Sequence, residues 1–195
     1  NNPDIVYNSS QYLGMQKLDL SSGQTKSIRP ANDQGYLGGR RNWTVWGQDR
    51  ATPTLGNNMA PANWDAPIEM SPHDSSVIYS GTNELWKSTD GGESWSSLGD
   101  LTSRVDRAEL PIMGQYPTRE TLSLDDGVPY YPTLSYIAES PLRVGLLYVG
   151  ADDGMFHVSM DGGETFDNIT DNFPRLPDNA WVNGIEPSSF NEGTV

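Results

Sequence analysis

The sequence contains no cysteine, so the chain can form neither disulfide bonds nor thiolate metal sites. Positive charge is also scarce, because 12 Lys and Arg stand against 26 Asp and Glu, for a net charge of −14. Without a basic stripe to neutralise phosphates, nucleic acid is excluded as a partner. No apolar run approaches the roughly 20 residues that a spanning helix needs, so membrane insertion is not expected.

Helical periodicity is a third absence, since no window has a sustained apolar i, i+3, i+4, i+7 pattern. Glycine (20) and proline (14) are instead plentiful, and charged residues make up only 19% of the chain. This composition favours many short strands joined by turns. Six Trp and nine Tyr, together with regular apolar runs, supply a core and argue against disorder.

An internal repeat organises the chain, because residues 66–102 and 134–170 align almost throughout. Each copy has an alternating strand that ends in Ser-Pro, a strand that ends in Tyr-x-Gly, an apolar-polar strand, an Asp-Gly-Gly turn and a last strand that opens on an aromatic residue. Four short strands per unit are typical of a propeller blade. We therefore predict an all-β fold: a segment of a β-propeller built from four-stranded antiparallel blades, about three blades' worth.

Partial copies of the repeat flank the two complete ones, so we predict a single partial propeller over residues 1–195. Its parts are a partial blade (1–30), a face loop (31–64), a blade (65–103), a second face loop (104–132), a blade (133–173) and the start of the next blade (174–195). Propellers usually close with about four to eight blades. We expect the remaining blades of the parent propeller, or another chain, to complete this one; truncation, cleavage and assembly remain open as explanations.

The Asp-Gly-Gly motif occurs as KSTDGGESW at 87–95 and as VSMDGGETF at 158–166. Glycine tolerates the positive φ of a tight turn, and an Asp before it can fold its carboxylate back onto the backbone of the turn. A hydroxyl can bond locally, and the aromatic ring can pack against the blade. We interpret the motif as a structural hairpin lock, rather than as a catalytic Asp or a calcium loop. The residues assigned to it are Ser88, Asp90, Gly92, Trp95, Ser159, Asp161, Gly163 and Phe166.

These two motifs resemble the Asp-box, or BNR repeat, of sialidases, xyloglucan-active hydrolases, sortilin-type VPS10 domains and photosystem assembly factors. About two thirds of the chain resembles large secreted bacterial proteins of the sortilin/VPS10-like or BNR glycosyl-hydrolase type. The resemblance implies an Asp-box propeller in which the motif lies away from any active site. It also implies an extracellular or periplasmic location in a bacterial setting, and either a binding or scaffold role or a glycoside hydrolase activity.

The two long loops are the predicted place for function, because both connect a fourth strand to the next first strand and so open on one face of the disc. Aromatic and polar side chains in them suit stacking on carbohydrate or docking of a polypeptide. The alternative is that these aromatics fill gaps between blades. Trp64, directly before a strand, is expected to pack at the start of that strand. The predicted ligand-binding residues are Tyr36, Arg40, Arg41, Trp43, Trp46, Tyr130 and Tyr131.

A glycoside hydrolase would instead need two carboxylic acids across a cleft, roughly 6.5–9.5 Å apart for an inverting reaction. No motif surrounds the acids of the loop face, so solvated loop carboxylates are the competing interpretation. An arginine triad of the sialidase type is not recognisable. The candidate catalytic acids are Asp33, Asp49, Asp65, Asp125 and Asp126.

Neither a metal nor a cofactor is predicted. The pairs Asp125-Asp126 and Asp152-Asp153 each precede a glycine, and turn chemistry explains both without the spacing of a calcium loop. The two histidines, His73 and His157, are isolated from each other and lack the spacing of a zinc site.

Overall fold

The computed structural model of the chain describes residues 2–30, 44–45, 48–49, 62–105, 109–111, 113–116, 118 and 131–195. This part of the chain is built mainly from short β-strands, with a three-residue 3-10 helix at Thr170–Asn172. Among these residues there is no helix whose length and apolar character would let it span a bilayer.

The strands form three main sheets, which we call blades 1, 2 and 3, and a separate two-stranded hairpin. Blade 1 contains β1 (Ile5–Asn8), β2 (Gln16–Asp19) and β3 (Gln24–Ser27). The hairpin consists of β4 (Thr44–Val45) and β5 (Gln48–Asp49). Blade 2 contains β6 (Ile68–Met70), β7 (Ile78–Gly81), β8 (Glu84–Ser88) and β9 (Ser96–Asp100). Blade 3 contains β10 (Leu134–Glu139), β11 (Leu147–Ala151), β12 (Phe156–Ser159) and β13 (Asp167–Asn168).

Within each blade the strands pair antiparallel in chain order. This order is the meander of a propeller blade. The predicted all-β fold of four-stranded antiparallel blades is therefore confirmed, with two sheets of four strands and one of three.

Blades 2 and 3 pack face to face through apolar side chains that alternate along their strands. Tyr79 and Leu85 of blade 2 share one buried cluster with Ile137, Leu147 and Val149 of blade 3. Full burial of such a side chain contributes about 1.5–3 kcal/mol, so this cluster stabilises the contact between the two sheets.

A glycine near the end of the second strand lets the chain segment at the start of the following repeat approach closely. A Cβ at Gly81 would lie 2.9 Å from the Cβ of Leu134, and a Cβ at Gly150 would lie 2.3 Å from Cγ1 of Val182. Because both distances are shorter than real carbon contacts, the Tyr-x-Gly strand endings are explained by packing between blades.

The Asp-Gly-Gly hairpins of blades 2 and 3 have matching hydrogen bonds. In blade 2, Oγ of Ser88 accepts from the amide of Gly92 at 2.8 Å and donates to Asp90 at 2.8 Å, while Asp90 accepts from the amide of Ser94 at 2.9 Å. The corresponding distances in blade 3 are 2.8, 2.8 and 2.9 Å. The Ser94 hydroxyl is the main cause that lowers the pKa of Asp90 to about 2. These contacts are the ones that a structural hairpin requires.

Contacts to a neighbouring blade are a second feature of these turns, which the sequence did not indicate. Nζ of Lys87 in blade 2 donates to the carbonyl of Gly162 in blade 3 at 2.9 Å. The hydroxyl of Tyr7 in blade 1 donates to the carbonyl of Gly91 in blade 2 at 3.4 Å. Each turn thus accepts a hydrogen bond from the preceding blade, in addition to the bonds within its own hairpin.

Residues 173–195 contain no strand, although the sequence predicts a first strand and the opening of a second there. The amide of Val182 donates to the carbonyl of Ala151 at 3.1 Å, which is the counterpart of the bond from Leu134 to Thr82 in the previous repeat. Val182 and Ile185 pack on blade 3. The segment thus docks where a first strand would lie, but no neighbouring strand in the described chain pairs with it.

Candidate functional site

The antiparallel order places several elements at one end of the blades, which we call the loop end. Because successive strands alternate in direction, each first strand starts at the end where the turn between the second and third strands lies. Asn63 and Trp64 precede β6, Thr133 precedes β10, and Asp152 and Asp153 form the turn between β11 and β12. The Asp-Gly-Gly turns lie at the opposite end.

A groove of about 350 Å³ opens at the loop end. Its lining residues are Asn63, Trp64, Asp65, Thr133, Leu134, Ser135 and Trp181. Two of them are large aromatic side chains that stay half exposed, Trp64 at 49% and Trp181 at 54%. The groove therefore combines two accessible indoles with small hydroxyl and amide side chains.

Tyr12 of blade 1 extends this aromatic surface. Its ring meets the ring of Trp64 edge-on, with centroids 5.5 Å apart and an interplanar angle of 78°. Its amide donates to the carbonyl of Trp64 at 3.3 Å. Trp64 was expected to be packed at a strand start; it does contact Tyr12, but half of its surface is left open towards the groove.

A buried carboxylate lies beneath the groove. Asp152, only 6% exposed, accepts hydrogen bonds from the amide of Thr133 at 2.8 Å, the hydroxyl of Thr133 at 3.0 Å and Nδ2 of Asn63 at 3.2 Å. Asn63 and Thr133 precede the first strands of two different blades, so this one side chain ties both strand starts together.

Burial raises the pKa of Asp152 to about 7, against the opposing effect of the hydrogen bonds from Thr133 and Asn63. The charge of Asp153 next to it raises the pKa further. The neighbour has a different role, because Asp153 accepts from the amide of Met155 in its own turn and from the amide of Ser103 at the end of blade 2. Turn chemistry alone therefore accounts for neither acid, because Asp153 divides its hydrogen bonds between its own turn and blade 2, and the partners of Asp152 all lie in other segments.

Asn63 connects the carboxylate to the groove wall. Its Nδ2 donates to Asp152, and its Oδ1 accepts from the amide of Trp64 at 2.9 Å. Asn63 is itself buried at 6% exposure. A short polar chain therefore runs from the buried acid to the backbone of a groove tryptophan.

A larger cleft of about 830 Å³ lies beside the groove, between the turn after β11 and residues 170–186. Phe156 and Phe173 contribute rings at a centroid distance of 5.3 Å, and Asp153 and Asp171 contribute carboxylates. Trp181 lines both this cleft and the groove.

A second carboxylate cluster lies between blades 2 and 3, away from the groove. Glu139 accepts from the amide of Gly145 through Oε1 at 2.7 Å, and its Oε2 finds no hydrogen-bond donor among the described residues. The pKa of Glu69 is raised, mainly by burial and then by Glu139 and Glu186. In the described chain, no three acidic or histidine side chains are placed to hold a metal ion.

Of the predicted site residues, Asp65 lies in the groove and is exposed. Tyr131 is half buried and is followed by Pro132 and Thr133, which lead into β10. Asp49 ends β5, of whose side chains nothing is described. The predictions for Asp33, Tyr36, Arg40, Arg41, Trp43, Trp46, Asp125, Asp126 and Tyr130 fall outside the described residues.

No functional role is predicted from the sequence for Asp152, Asn63, Thr133 or Trp181. One signal was available, because the repeat alignment puts Asp152 at the same turn position as Asn83 of blade 2. At this turn of the loop end, blade 3 has an acid where blade 2 has an amide. This difference between the two copies could have indicated a special role for Asp152.

Comparison with solved structures finds GH74 enzymes similar to this chain. The Niastella koreensis GH74 enzyme is 14% identical over 85% of this chain and 20% of that chain, with a TM-score of 0.46. An ancestral GH74 enzyme is 16% identical over 87% of this chain and 17% of that chain, with a TM-score of 0.44. The GH74 xyloglucanase from Xanthomonas campestris is 14% identical over 78% of this chain and 17% of that chain, with a TM-score of 0.39.

This chain therefore spans a fifth or less of the length of these enzymes. No family model matches the chain, and no curated protein matches it.

Proposed function

We propose that the groove at the loop end binds carbohydrate, and that this chain is a binding portion of a larger secreted propeller protein. The observation that carries the proposal is the pair of half-exposed indoles, Trp64 and Trp181, in one groove. An indole offers a flat apolar face on which a sugar ring can stack, and here two indoles line the same groove.

The groove lining is mainly apolar and suits the flat face of a sugar ring. The polar groups of Thr133, Ser135 and Asn63 are already bonded within the protein, to Asp152, the carbonyl of Val182 and the amide of Trp64. The described lining contains Asp65 but neither Lys nor Arg. An anionic sugar would be repelled by Asp65 and would find no cation there to pair with, so neutral sugars are favoured.

A glycoside hydrolase is the second candidate, favoured by the position of Asp152. Asp65 is an exposed carboxylate in the groove, and Asp152 below it has a pKa raised to about 7. One acid of raised pKa and one ionised carboxylate are the pair that such a reaction uses. Binding is preferred, because both oxygens of Asp152 already accept hydrogen bonds and the side chain does not line the groove.

The tryptophans give the first test. Trp64→Ala and Trp181→Ala should each weaken binding of a neutral oligosaccharide by about tenfold or more, as loss of a central aromatic contact does. Isothermal titration calorimetry with a panel of neutral and uronic-acid oligosaccharides measures the affinity. Phe190→Ala is the matched control, because Phe190 is 98% exposed and does not line the groove.

Unchanged affinity in both tryptophan variants would contradict the proposal, as would binding of peptides but of no sugar in the panel. Release of reducing ends from a bound sugar by the wild-type protein, lost in both Asp65→Asn and Asp152→Asn, would establish the hydrolase instead.

A further inference from the structure

Asp152, the buried acid under the groove, is hydrogen-bonded to two segments that are distant from it in the sequence. Asp152 receives three hydrogen bonds from two residues that lie 19 and 89 positions away in the sequence. Both donors, Asn63 and Thr133, line the groove. Asn63 links Asp152 to Trp64, because Oδ1 of Asn63 accepts a hydrogen bond from the amide of Trp64 at 2.9 Å.

We propose that Asp152 is a positioning residue for the groove: its ionised carboxylate holds Asn63, and through Asn63 the backbone of Trp64, so that the groove binds its ligand more tightly when Asp152 is deprotonated. The ligand part of this inference rests on the function proposed above. The coupling between Asp152 and Trp64 does not, and it can be measured without any ligand.

The two charge states differ in the contacts of Asp152 to the hydroxyl of Thr133 and to Asn63. An ionised carboxylate accepts all three hydrogen bonds, and charge-assisted bonds are the stronger kind. A protonated Asp152 can donate its new hydrogen to the hydroxyl of Thr133, which reverses its direction, while the amide of Thr133 stays bonded to Oδ1. The bond from Nδ2 of Asn63 then points at a neutral acid and is weakened. Protonation therefore releases Asn63 more than Thr133.

The titration falls in an accessible range, since burial raises the pKa of Asp152 to about 7. The charged or titratable groups on the surrounding elements are Asp153, His157, Asp65, Asp100 and Arg104. Asp153 acts on Asp152 directly and raises its pKa. Burial lowers the pKa of His157, which moves the titration of that imidazole away from neutral pH.

Stability and binding should change with pH in opposite directions. The folded pKa of about 7 lies above the ordinary value of 3.8, so between these two values the folded chain holds more protons than the unfolded one. The contribution of Asp152 to stability therefore falls as pH rises from about 4 to about 7. The groove, by contrast, becomes better ordered over the upper part of the same range.

The test follows the amide and indole signals of Trp64 by NMR between about pH 5.5 and pH 8.5, in the whole chain without ligand. In the wild-type protein these signals should shift with a midpoint near 7, and in Asp152→Asn they should not. In Asn63→Ala the carboxyl carbon of Asp152 should still titrate while Trp64 no longer follows it. His157→Gln should keep the wild-type midpoint.

Affinity gives the second readout. Binding of the neutral oligosaccharide should be about fivefold tighter at pH 8 than at pH 5.5, and less than about twofold different in Asp152→Asn. Trp64 signals that stay still across the range, or that move equally in Asp152→Asn, would overturn the inference. If the Trp64 signals titrate but no sugar binds, the positioning role is supported and the proposed function is refuted. If sugar binds without pH dependence and the Trp64 signals do not titrate, the proposed function is supported and the positioning role is refuted.

Discussion

Replacing Gly145 with alanine should destabilise the chain by about 3 kcal/mol or more. Gly145 is buried in the turn between β10 and β11, with a φ of 76° that L side chains rarely adopt. A Cβ there would lie 2.9 Å from the backbone nitrogen of Gly162 and 3.1 Å from its Cα. Backbone atoms cannot swing aside as a side chain can, so two turns of blade 3 would be forced apart.

Two hydrogen bonds depend on the same position. The carbonyl of Gly145 accepts from the amide of Gly162 at 2.9 Å, and its own amide donates to Oε1 of Glu139 at 2.7 Å. Displacing Gly145 would take this amide donor away from the buried carboxyl group of Glu139, and an unsatisfied buried polar group is costly. The expected loss therefore combines backbone strain, a steric clash and weakened hydrogen bonds.

Urea denaturation followed by tryptophan fluorescence measures this effect. Gly23→Ala is the matched control, because Gly23 has a similar φ of 69° but a Cβ there would meet no atom within 4 Å. That variant should lose only about 1 kcal/mol, from backbone conformation alone. Equal losses for the two variants would show that the contact between the turns contributes nothing.

Replacing Ser88 or Ser159 with alanine should destabilise the chain by about 1–3 kcal/mol each. Each hydroxyl accepts from a buried glycine amide at 2.8 Å, Gly92 in blade 2 and Gly163 in blade 3. Both serines are 1% exposed, so no water can replace the lost acceptor. The two losses should be similar, because the two hairpins have the same hydrogen bonds.

Ser96→Ala serves as the control for these variants, since Ser96 is exposed on β9. Shifts in urea midpoint for Ser88→Ala and Ser159→Ala, with sugar affinity unchanged, are the result that a structural hairpin predicts. If either variant kept its stability and lost ligand binding, the Asp-Gly-Gly motif would have to be part of a functional site.

The hairpins show how much of the fold the sequence could predict. The motif KSTDGGESW folds through contacts within a few residues, namely glycines at positive φ and an Asp that bonds the backbone of its own turn. Such local chemistry can be recognised wherever the letters occur. The alternation of apolar residues and the repeat itself then set the number of strands and their order.

The candidate site was harder to predict, because its contacts join distant residues. Asn63 and Asp152 are 89 positions apart, and Trp64 precedes β6 whereas Trp181 lies in the segment that follows blade 3. Asp152 and Asp153 are adjacent in one turn, yet Asp152 bonds the starts of two blades, whereas Asp153 bonds its own turn and the end of blade 2. Asp65 was among the sequence candidates only because it lies at the edge of a long loop.

By itself, the sequence determined the strands of the three blades, their antiparallel meander and the position of the hairpin turns, since these depend on periodicity and on backbone preferences a few residues long. Tertiary structure alone decided which turn residues meet at the loop end, that Trp64 stays half exposed, and that residues 173–195 dock without forming a strand. Those outcomes depend on how one blade packs against the next, and burial there is what raises the pKa of Asp152.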